Sequence, residues 1–444
     1  MKKFVIFTLI SAMAAGAVFA ADGININAWG RGVFAPLVVK GAPKTDGKVD
    51  QYSDQKGKTV DKKASAFVGT GATWGGGQVR VDFRIVGDSE FVGFGLNATA
   101  ENNTLAGNDD AAYIYAKPFG GDILKIKIGY FVEDELRGKI GTANNTFDNF
   151  VSGGRFTNYD EDHIFMRFAT SDGMGHLHSN NGLNGAGFLL SSLPVDGLFI
   201  GLLATAGNPV PSGVSTTAWD AYHFMQIGAG YQIPNIGHIR AQWIGGYLGS
   251  YDDKKLEKTM LAGGASDFDK KPARIEAAFA LTAVENLLVD LGGKFYLPVN
   301  IKDVSKSSGG IGIGLGASFR VDAFSIIFRF DGDFAAYERA WEDDKSLGGA
   351  NLDFRLTPTY DLDAATIGLL FGLQTALAGK DWEGNGPDEY NAPLQLGFGG
   401  YVQKGLGKGS IKAGLTFTTA TIIDSKANGS PYFSIPIVLE YAFF

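Results

Sequence analysis

The feature that most limits what this chain can fold into is an alternation of apolar and polar residues with a period of two. Between Gln78 and Ile85, every odd position is apolar and every even position is polar or charged. A β-strand sorts such residues onto two opposite faces, whereas an α-helix would scatter them around its circumference. The same pattern recurs at 124–128, 238–243, 274–277, 352–357 and 411–418. The chain is therefore expected to be an all-β protein.

The connections between these segments favour a closed barrel over a soluble sheet. Eight short connections have the composition of tight turns, at 86–89, 118–121, 194–197, 234–237, 284–286, 321–323, 362–364 and 405–408. Longer polar segments, among them 41–74, 102–109, 134–184 and 300–309, lie between them. Eight hairpins with an opening strand over 24–39 and a closing strand over 431–444 predict about 18 strands, within a range of about 16 to 20. Short periplasmic turns and long extracellular loops are typical of a transmembrane antiparallel β-barrel.

The first twenty residues have the form of an export signal. Met1, Lys2 and Lys3 give a short basic start, an apolar segment runs from there to Ala20, and Asp22 follows at once. We expect a secretory signal peptide over 1–20, cleaved after Ala20, with 21–444 as a single β-barrel domain in the outer membrane. The alternative is a transmembrane anchor, for which this apolar core is short.

Composition excludes several classes of function. Cysteine is absent, which excludes a disulfide scaffold and thiol chemistry. The net charge of −8 at pH 7 argues against a nucleic-acid partner, since such a partner requires a basic surface. The histidines His176 and His178 lie in a glycine-rich segment and are weak evidence for a metal site, so no cofactor or metal is expected. No catalytic motif stands out, and we do not expect an enzyme.

The C-terminal segment carries the best local resemblance to a known family. An apolar phase with a period of two ends the chain, and one further aromatic residue, Phe444, follows out of phase; the phase comprises Phe433, Ile435, Ile437, Leu439, Tyr441 and Phe443. The chain resembles the general porins of bacterial outer membranes over 21–444, through its architecture and without a diagnostic motif. This resemblance implies that Tyr441, Phe443 and Phe444 form a signal read by the barrel-assembly machinery. The alternative is an apolar strand with no such role.

The same resemblance implies a function. Porins are passive diffusion channels for ions and small hydrophilic solutes, embedded in outer-membrane lipid, and they narrow the pore with a third long loop. That loop would be 134–184, folded into the lumen; the alternative is a large surface loop. Porins of this size commonly form homotrimers, which the sequence does not decide.

Other functions remain open. A barrel without a channel would act as an adhesin or structural protein through its long loops. A transporter for hydrophobic substrates would need an N-terminal plug, but a strand-like segment begins at Ile24, almost at the predicted cleavage site. A barrel enzyme is disfavoured by the lack of a motif.

Charged residues on the polar face of the strands are expected to line the lumen, because a charge facing lipid costs about 2–4 kcal/mol near the midplane. The basic positions are Arg31, Arg80, Arg84, Lys125, Lys127, Arg240, Arg274, Lys294, Arg320, Arg329, Arg355 and Lys412. The acidic positions are Asp82, Glu101, Glu276, Asp290, Asp331, Asp333, Asp353 and Glu440. Twelve against eight gives a net charge of +4 on the wall.

An acidic loop facing this wall would create a constriction with a transverse field that orients solutes and filters ions. The loop carboxylates for this hypothesis are Asp160, Glu161 and Asp162, and the facing cations are Arg80, Arg84, Lys125 and Lys127. The alternative is that wall charges pair across adjacent strands, for instance Asp353 with Arg329.

Overall fold

The structure is a computed structural model. It describes residues 24–42, 44–45, 48–69, 79–101, 104–132, 136, 184–205, 225–245, 249–251, 273–301, 306–337, 349–378, 394–419 and 431–443. The predicted signal peptide over 1–20 therefore lies outside the described residues. Within the described part of the chain, no helix is long and apolar enough to cross a membrane.

Eighteen strands form one closed sheet. The sheet contains 20 strands in all, and two of them, Ser65–Gly69 and Gly249–Tyr251, are short segments of the connections, which leaves 18 in the wall. The wall strands are β1 (Ile24–Lys40), β2 (Val79–Asp88), β3 (Val92–Glu101), β4 (Thr104–Ala116), β5 (Lys125–Val132), β6 (Asn184–Val195), β7 (Leu198–Thr205), β8 (Gln226–Ile233), β9 (Gly237–Ile244), β10 (Arg274–Val284), β11 (Leu287–Ile301), β12 (Lys306–Val321), β13 (Phe324–Tyr337), β14 (Gly349–Leu362), β15 (Ala365–Ala378), β16 (Leu394–Leu406), β17 (Gly409–Thr418) and β18 (Tyr432–Phe443).

The barrel closes between its first and last strands. Strand β1 pairs antiparallel with β18 on one side and with β2 on the other. Ala28 stands opposite Phe443, and Ile24 stands opposite Gly87 beside the first short turn. Both ends of the described barrel therefore lie at the end where the short turns are. Because each described wall strand is paired on both sides, the closed sheet presents no open strand edge to lipid.

All eight predicted short turns are confirmed, with shifts of a few residues at their boundaries. The largest shift is at the first turn, where β2 continues to Asp88 and β3 begins at Val92. Three other turns place a non-glycine residue at positive φ: Asn235 at 60°, Asn286 at 62° and Asp322 at 50°. Asn and Asp tolerate this left-handed conformation better than other side chains, and a tight hairpin requires it. The Asn and Asp residues of the predicted turns are therefore the ones that reverse the chain direction in these hairpins.

Two of the predicted long loops are wrong in extent. The predicted loop at 102–109 gives way to strand from Thr104, which pairs with Glu101. The predicted loop at 300–309 is likewise mostly strand, because Ile301 pairs with Lys306. Where a hairpin extends beyond the membrane, both of its faces meet water, so the alternation that marks a membrane-spanning strand is lost while the ladder continues. Composition alone therefore predicted these hairpin ends as loops.

The two faces of the wall differ as the alternation predicts. On β9, the side chains of His238, Arg240 and Gln242 are buried against the inner face, whereas Ile239 points outward and is 49% exposed. Five outward-facing apolar side chains are each about half exposed, between 47% and 60%: Ile114, Leu291, Phe295, Leu415 and Leu439. An apolar outer band and a polar inner face suit a barrel whose outside meets hydrocarbon and whose inside meets water.

Candidate pore wall

A basic arc occupies the inner face over seven neighbouring strands, from β17 through β18 and β1 to β5. It consists of Lys412, Arg31, Arg80, Arg84, Lys125 and Lys127. Four of these six side chains lie against the wall, with exposures of 6% to 9%. They share a face because each occupies the inner phase of its strand, as the register of the neighbouring strands fixes it. The structure thus brings together six predicted pore-lining cations.

Two carboxylates partly balance the basic arc. Arg31 and Arg80 stand directly opposite each other on β1 and β2. Arg31 Nε donates to Glu440 Oε1 at 2.7 Å, and Arg80 Nε donates to Asp82 Oδ1 at 3.0 Å. The hydroxyl of Thr99 also donates to Asp82. Charge-assisted bonds of this kind hold two guanidinium groups side by side that would otherwise repel each other.

A compact cluster of charges continues the arc at the short-turn rim. The hydroxyl of Tyr115 donates to Asp88 Oδ1 at 2.5 Å, and Lys117 Nζ donates to the same oxygen at 2.9 Å. Lys125 Nζ lies 3.0 Å from Asp122 Oδ1. Counted with this rim, the described side chains of the arc comprise seven cations and four carboxylates, an excess of three positive charges.

The opposite side of the wall holds a more deeply buried network. Arg240 on β9 donates through Nη2 to both oxygens of Asp290 on β11, at 2.8 and 3.0 Å, across the intervening β10. Arg274 Nε and Gln242 Nε2 both donate to the carboxylate of Glu276, at 2.6 and 2.5 Å. Asp290 is 0% exposed and Glu276 is 2% exposed. Ion pairs within β10 and across it therefore hold these charges against the wall.

An apolar patch on the inner wall receives a residue from the predicted third loop. Leu189, Phe199 and Leu203 form this apolar patch, and Leu136 packs into it with an exposure of only 1%. The register places the patch on the inner face, because Leu189 stands opposite Lys127 on one side and Leu203 on the other. Leu136 therefore lies inside the barrel, where it also borders Arg240, Gln242 and Glu276.

Other predicted site residues lie elsewhere or outside the described part. Arg320 is at the short-turn mouth, 63% exposed, where Nη2 lies 3.1 Å from Asp361 Oδ2. Tyr441 points outward in the apolar phase of β18 and is 52% exposed. Arg329 and Arg355 stand opposite each other on β13 and β14, and both are half-buried. The loop residues Asp160, Glu161 and Asp162 and the terminal Phe444 lie outside the described residues. So do the side chains of Lys294, Asp331, Asp333, Asp353 and Phe443, whose backbones alone are described.

Sequence reasoning missed the aromatic residues of the inner face. Trp29, Tyr113, Tyr115, Tyr401 and Tyr432 all occupy inner-phase positions. A signal was present for two of them, since Tyr113 and Tyr115 alternate in phase with Lys117. Among the side chains described, no group of three His, Asp or Glu residues could hold a metal ion.

Comparison with known proteins gives no match to a family model and no match to a curated protein. The chain is similar to the outer membrane protein OpdK from Pseudomonas aeruginosa, with 11% identity, coverage of 95% of this chain and 98% of that chain, and a TM-score of 0.46. For OpdL from the same organism the identity is 10%, the coverages are 96% and 99%, and the TM-score is 0.46. For the anion-selective porin from Comamonas acidovorans the identity is 12%, the coverages are 95% of this chain and 100% of that chain, and the TM-score is 0.41. On its own strand order and register, the chain is a closed outer-membrane-type β-barrel of 18 strands, and the predicted porin-like architecture is confirmed.

Proposed function

We propose that this barrel is an outer-membrane channel for the passive diffusion of ions and small hydrophilic solutes. One observation carries the proposal: the 18-stranded wall turns an apolar face outward and a charged face inward. A charged inner face is stable only when it is hydrated or paired, so such a wall suits an aqueous path through the membrane.

The basic arc supports a preference for anions. Its excess of cations lies on contiguous strands, so their potentials add along one side of the path. Among the described side chains of the opposite side, the carboxylates of Asp290 and Glu276 are buried and paired, with Arg240 and Arg274 respectively. An ion passing along the lumen would therefore meet the positive potential of the arc more strongly than the negative potential of these buried pairs.

Leu136 supports the entry of the third loop into the lumen. Its side chain fills the apolar patch only four residues after the end of β5 at Val132. A segment that starts on the inner wall would narrow the path, and this part of the proposal adds size exclusion to charge filtering. The predicted facing of Asp160, Glu161 and Asp162 to the arc belongs to the same hypothesis.

Planar-bilayer recording tests the proposed function directly. The purified barrel should give stepwise ionic conductance, and a salt gradient should give a reversal potential of the sign expected for an anion-preferring pore. Changing Arg80 and Arg84 together to Gln should move that potential toward cation preference. The matched control is Arg320→Gln at the exposed mouth, which should move it less. A barrel that inserts without conducting would favour the adhesin alternative, and an unchanged potential in the Arg80/Arg84 variant would remove charge filtering by the arc.

Export and assembly complete the proposal. We infer that residues 1–20 are removed after Ala20 and that Tyr441, Phe443 and Phe444 direct folding by the barrel-assembly machinery. The outward phase of Tyr441 in β18 is compatible with reading of this strand from the membrane side. N-terminal sequencing of the mature protein checks the cleavage site. Deletion of the last two residues should lower the yield of folded barrel in the outer membrane.

A homotrimer is also part of the proposal. Ala229, Ala241, Ala277 and Gly293 stand in register on the outer faces of four neighbouring strands, β8 to β11. Small side chains in a row leave a flat surface that another barrel can approach closely. The mass of the detergent-solubilised particle, corrected for bound detergent, checks this state; a monomer would contradict it.

A further inference from the structure

Cationic side chains lie over the faces of aromatic rings on the inner wall. The ammonium group of Lys127 lies 4.8 Å from the ring centroid of Tyr113, and that of Lys412 lies 4.6 Å from the ring centroid of Tyr401. The guanidinium carbon of Arg31 lies 4.6 Å from the ring centroid of Trp29. These distances fall within the range of about 6 Å over which a ring face attracts a cation. Members of the basic arc are therefore held by rings as well as by carboxylates.

The Tyr113 ring lies flat because the next strand offers a glycine. Gly95 on β3 stands opposite Tyr113 on β4, and a Cβ at this position would collide with the ring. On the other side, Tyr113 stands opposite Gly129 of β5, and Lys127 is two residues before that glycine. The glycine thus gives the ring room against the wall, and the flat ring presents a face to the lysine on the third strand.

The same arrangement recurs on a distant part of the wall. Gly368 on β15 stands opposite Tyr401 on β16, and a Cβ there would also collide with the ring. Tyr401 stands opposite Gly414 of β17, and Lys412 is again two residues before that glycine. The two copies share strand order, register and the diagonal offset of the lysine. This repetition argues that the geometry is a unit, which we call the glycine–tyrosine–lysine module.

Burial shows what the modules do to the charge. Lys127 is 8% exposed and Lys412 is 6% exposed, so neither side chain extends freely into the lumen. An unrestrained lysine has four rotatable bonds and would spread its ammonium over several Å. Because a charge acts over a screening distance of only about 8 Å at physiological salt, such spreading would change its effect on passing ions.

We propose that Tyr113 and Tyr401 are specificity-determining positioning residues, which fix the ammonium groups of Lys127 and Lys412 at the wall and thereby set the anion preference of the pore. This inference rests on the proposed channel function. The rings do not contact the permeating ion in this scheme; they act through the lysines. The glycines Gly95 and Gly368 are the positions that make the flat ring geometry possible.

Reversal potentials of substituted channels test this role. Tyr401→Leu should lower the ratio of anion to cation permeability by about twofold, because the lysine loses its support and spreads. Tyr401→Phe keeps the ring face and should leave the ratio near that of the unsubstituted channel. Lys412→Met should lower the ratio at least as far as Tyr401→Leu, and the double variant should be no lower than Lys412→Met alone. The corresponding substitutions of Tyr113 and Lys127 should change the permeability ratio in the same order.

The control is an outward-facing tyrosine on the same strand as Lys127. Tyr130 belongs to the outer phase of β5 and is 43% exposed, so Tyr130→Leu should leave the ratio unchanged. A difference in gel mobility between the unheated and the heated sample of each variant confirms that its barrel has formed. A lowered ratio in Lys412→Met with an unchanged ratio in Tyr401→Leu would overturn the positioning role and leave the proposed channel intact. Unchanged ratios in both would overturn the positioning role together with the contribution of Lys412 to the anion preference.

Discussion

Replacing Leu136 tests where the segment after β5 runs, and the size of the effect follows from its packing. Leu136 is 1% exposed, and its partners Leu189, Phe199 and Leu203 are 0%, 3% and 0% exposed. Truncating a leucine in such a packed site to alanine costs about 2–5 kcal/mol. At about 3 kcal/mol, which lies within that range, the anchored state loses stability relative to the released state by a factor of about 150. An anchor of only a few kcal/mol would then be released for part of the time.

Single-channel recording detects this release. In the Leu136→Ala channel we expect added current fluctuations and a higher mean conductance, because a released segment obstructs the lumen less steadily. Leu136→Asp should give a larger effect, since a carboxylate loses its hydration against Leu189, Phe199 and Leu203 and lies beside the carboxylate of Glu276. Leu190 is the matched control: it is the neighbour of Leu189 on β6 but belongs to the outer phase, opposite Ile126 and Leu202.

The contrary result is well defined. If Leu136→Asp folds and conducts with the current level and noise of the unsubstituted channel, the segment does not depend on the apolar patch, and its entry into the lumen loses its support. If Leu190→Ala changes the current as much as Leu136→Ala does, the effect reflects general weakening of β6. Neither outcome would contradict the barrel fold.

Three further predictions follow from the charges. Asp82→Asn and Glu440→Gln should each raise the ratio of anion to cation permeability, measured as a reversal potential, because each removes a carboxylate of the basic arc. Asp290→Asn should lower the free energy of unfolding by about 3–5 kcal/mol in a denaturant titration, since it leaves Arg240 buried without its carboxylate. Replacing Asp290 and Arg240 together by apolar residues should lower that free energy by less. Ile239→Arg, on the outer face, should cost up to about 2–4 kcal/mol in the same titration, whereas an unchanged midpoint would contradict the lipid-facing assignment.

The wall of the barrel could be predicted because two independent signals agree. Alternation, as from Val79 to Ile85, shows which residues share a face, and it needs no knowledge of the partner strand. Turn residues such as Asn235 and Asn286 show where the chain reverses, because few other residues accept positive φ. Together they fix the number of strands, and closure follows since an open edge is not tolerated in lipid.

The inner apolar patch could not be predicted because alternation fails there. Phe188, Leu189 and Leu190 are apolar on both faces of β6, and Leu202 and Leu203 repeat this on β7. A rule that assigns polar residues to the lumen cannot tell that Leu189 and Leu203 face inward. The register sets their orientation, and the residue that covers them, Leu136, lies about fifty residues away in the chain from Leu189; single-sequence patterns report neither.

Tyr113 contacts both the lysine of its module and the apolar patch around Leu136. The ammonium group of Lys127 on β5 lies over the Tyr113 ring, and Tyr113 also packs against the apolar patch that holds Leu136. Contacting residues respond to substitution as a unit, whereas distant ones respond independently. Release of Leu136 should therefore disturb the position of Lys127 through the ring while leaving the Tyr401 module as it is. In the proposed channel, the Leu136 contact and the position of Lys127 would then respond to substitution as one unit, which would couple size exclusion to charge filtering at β4 to β6.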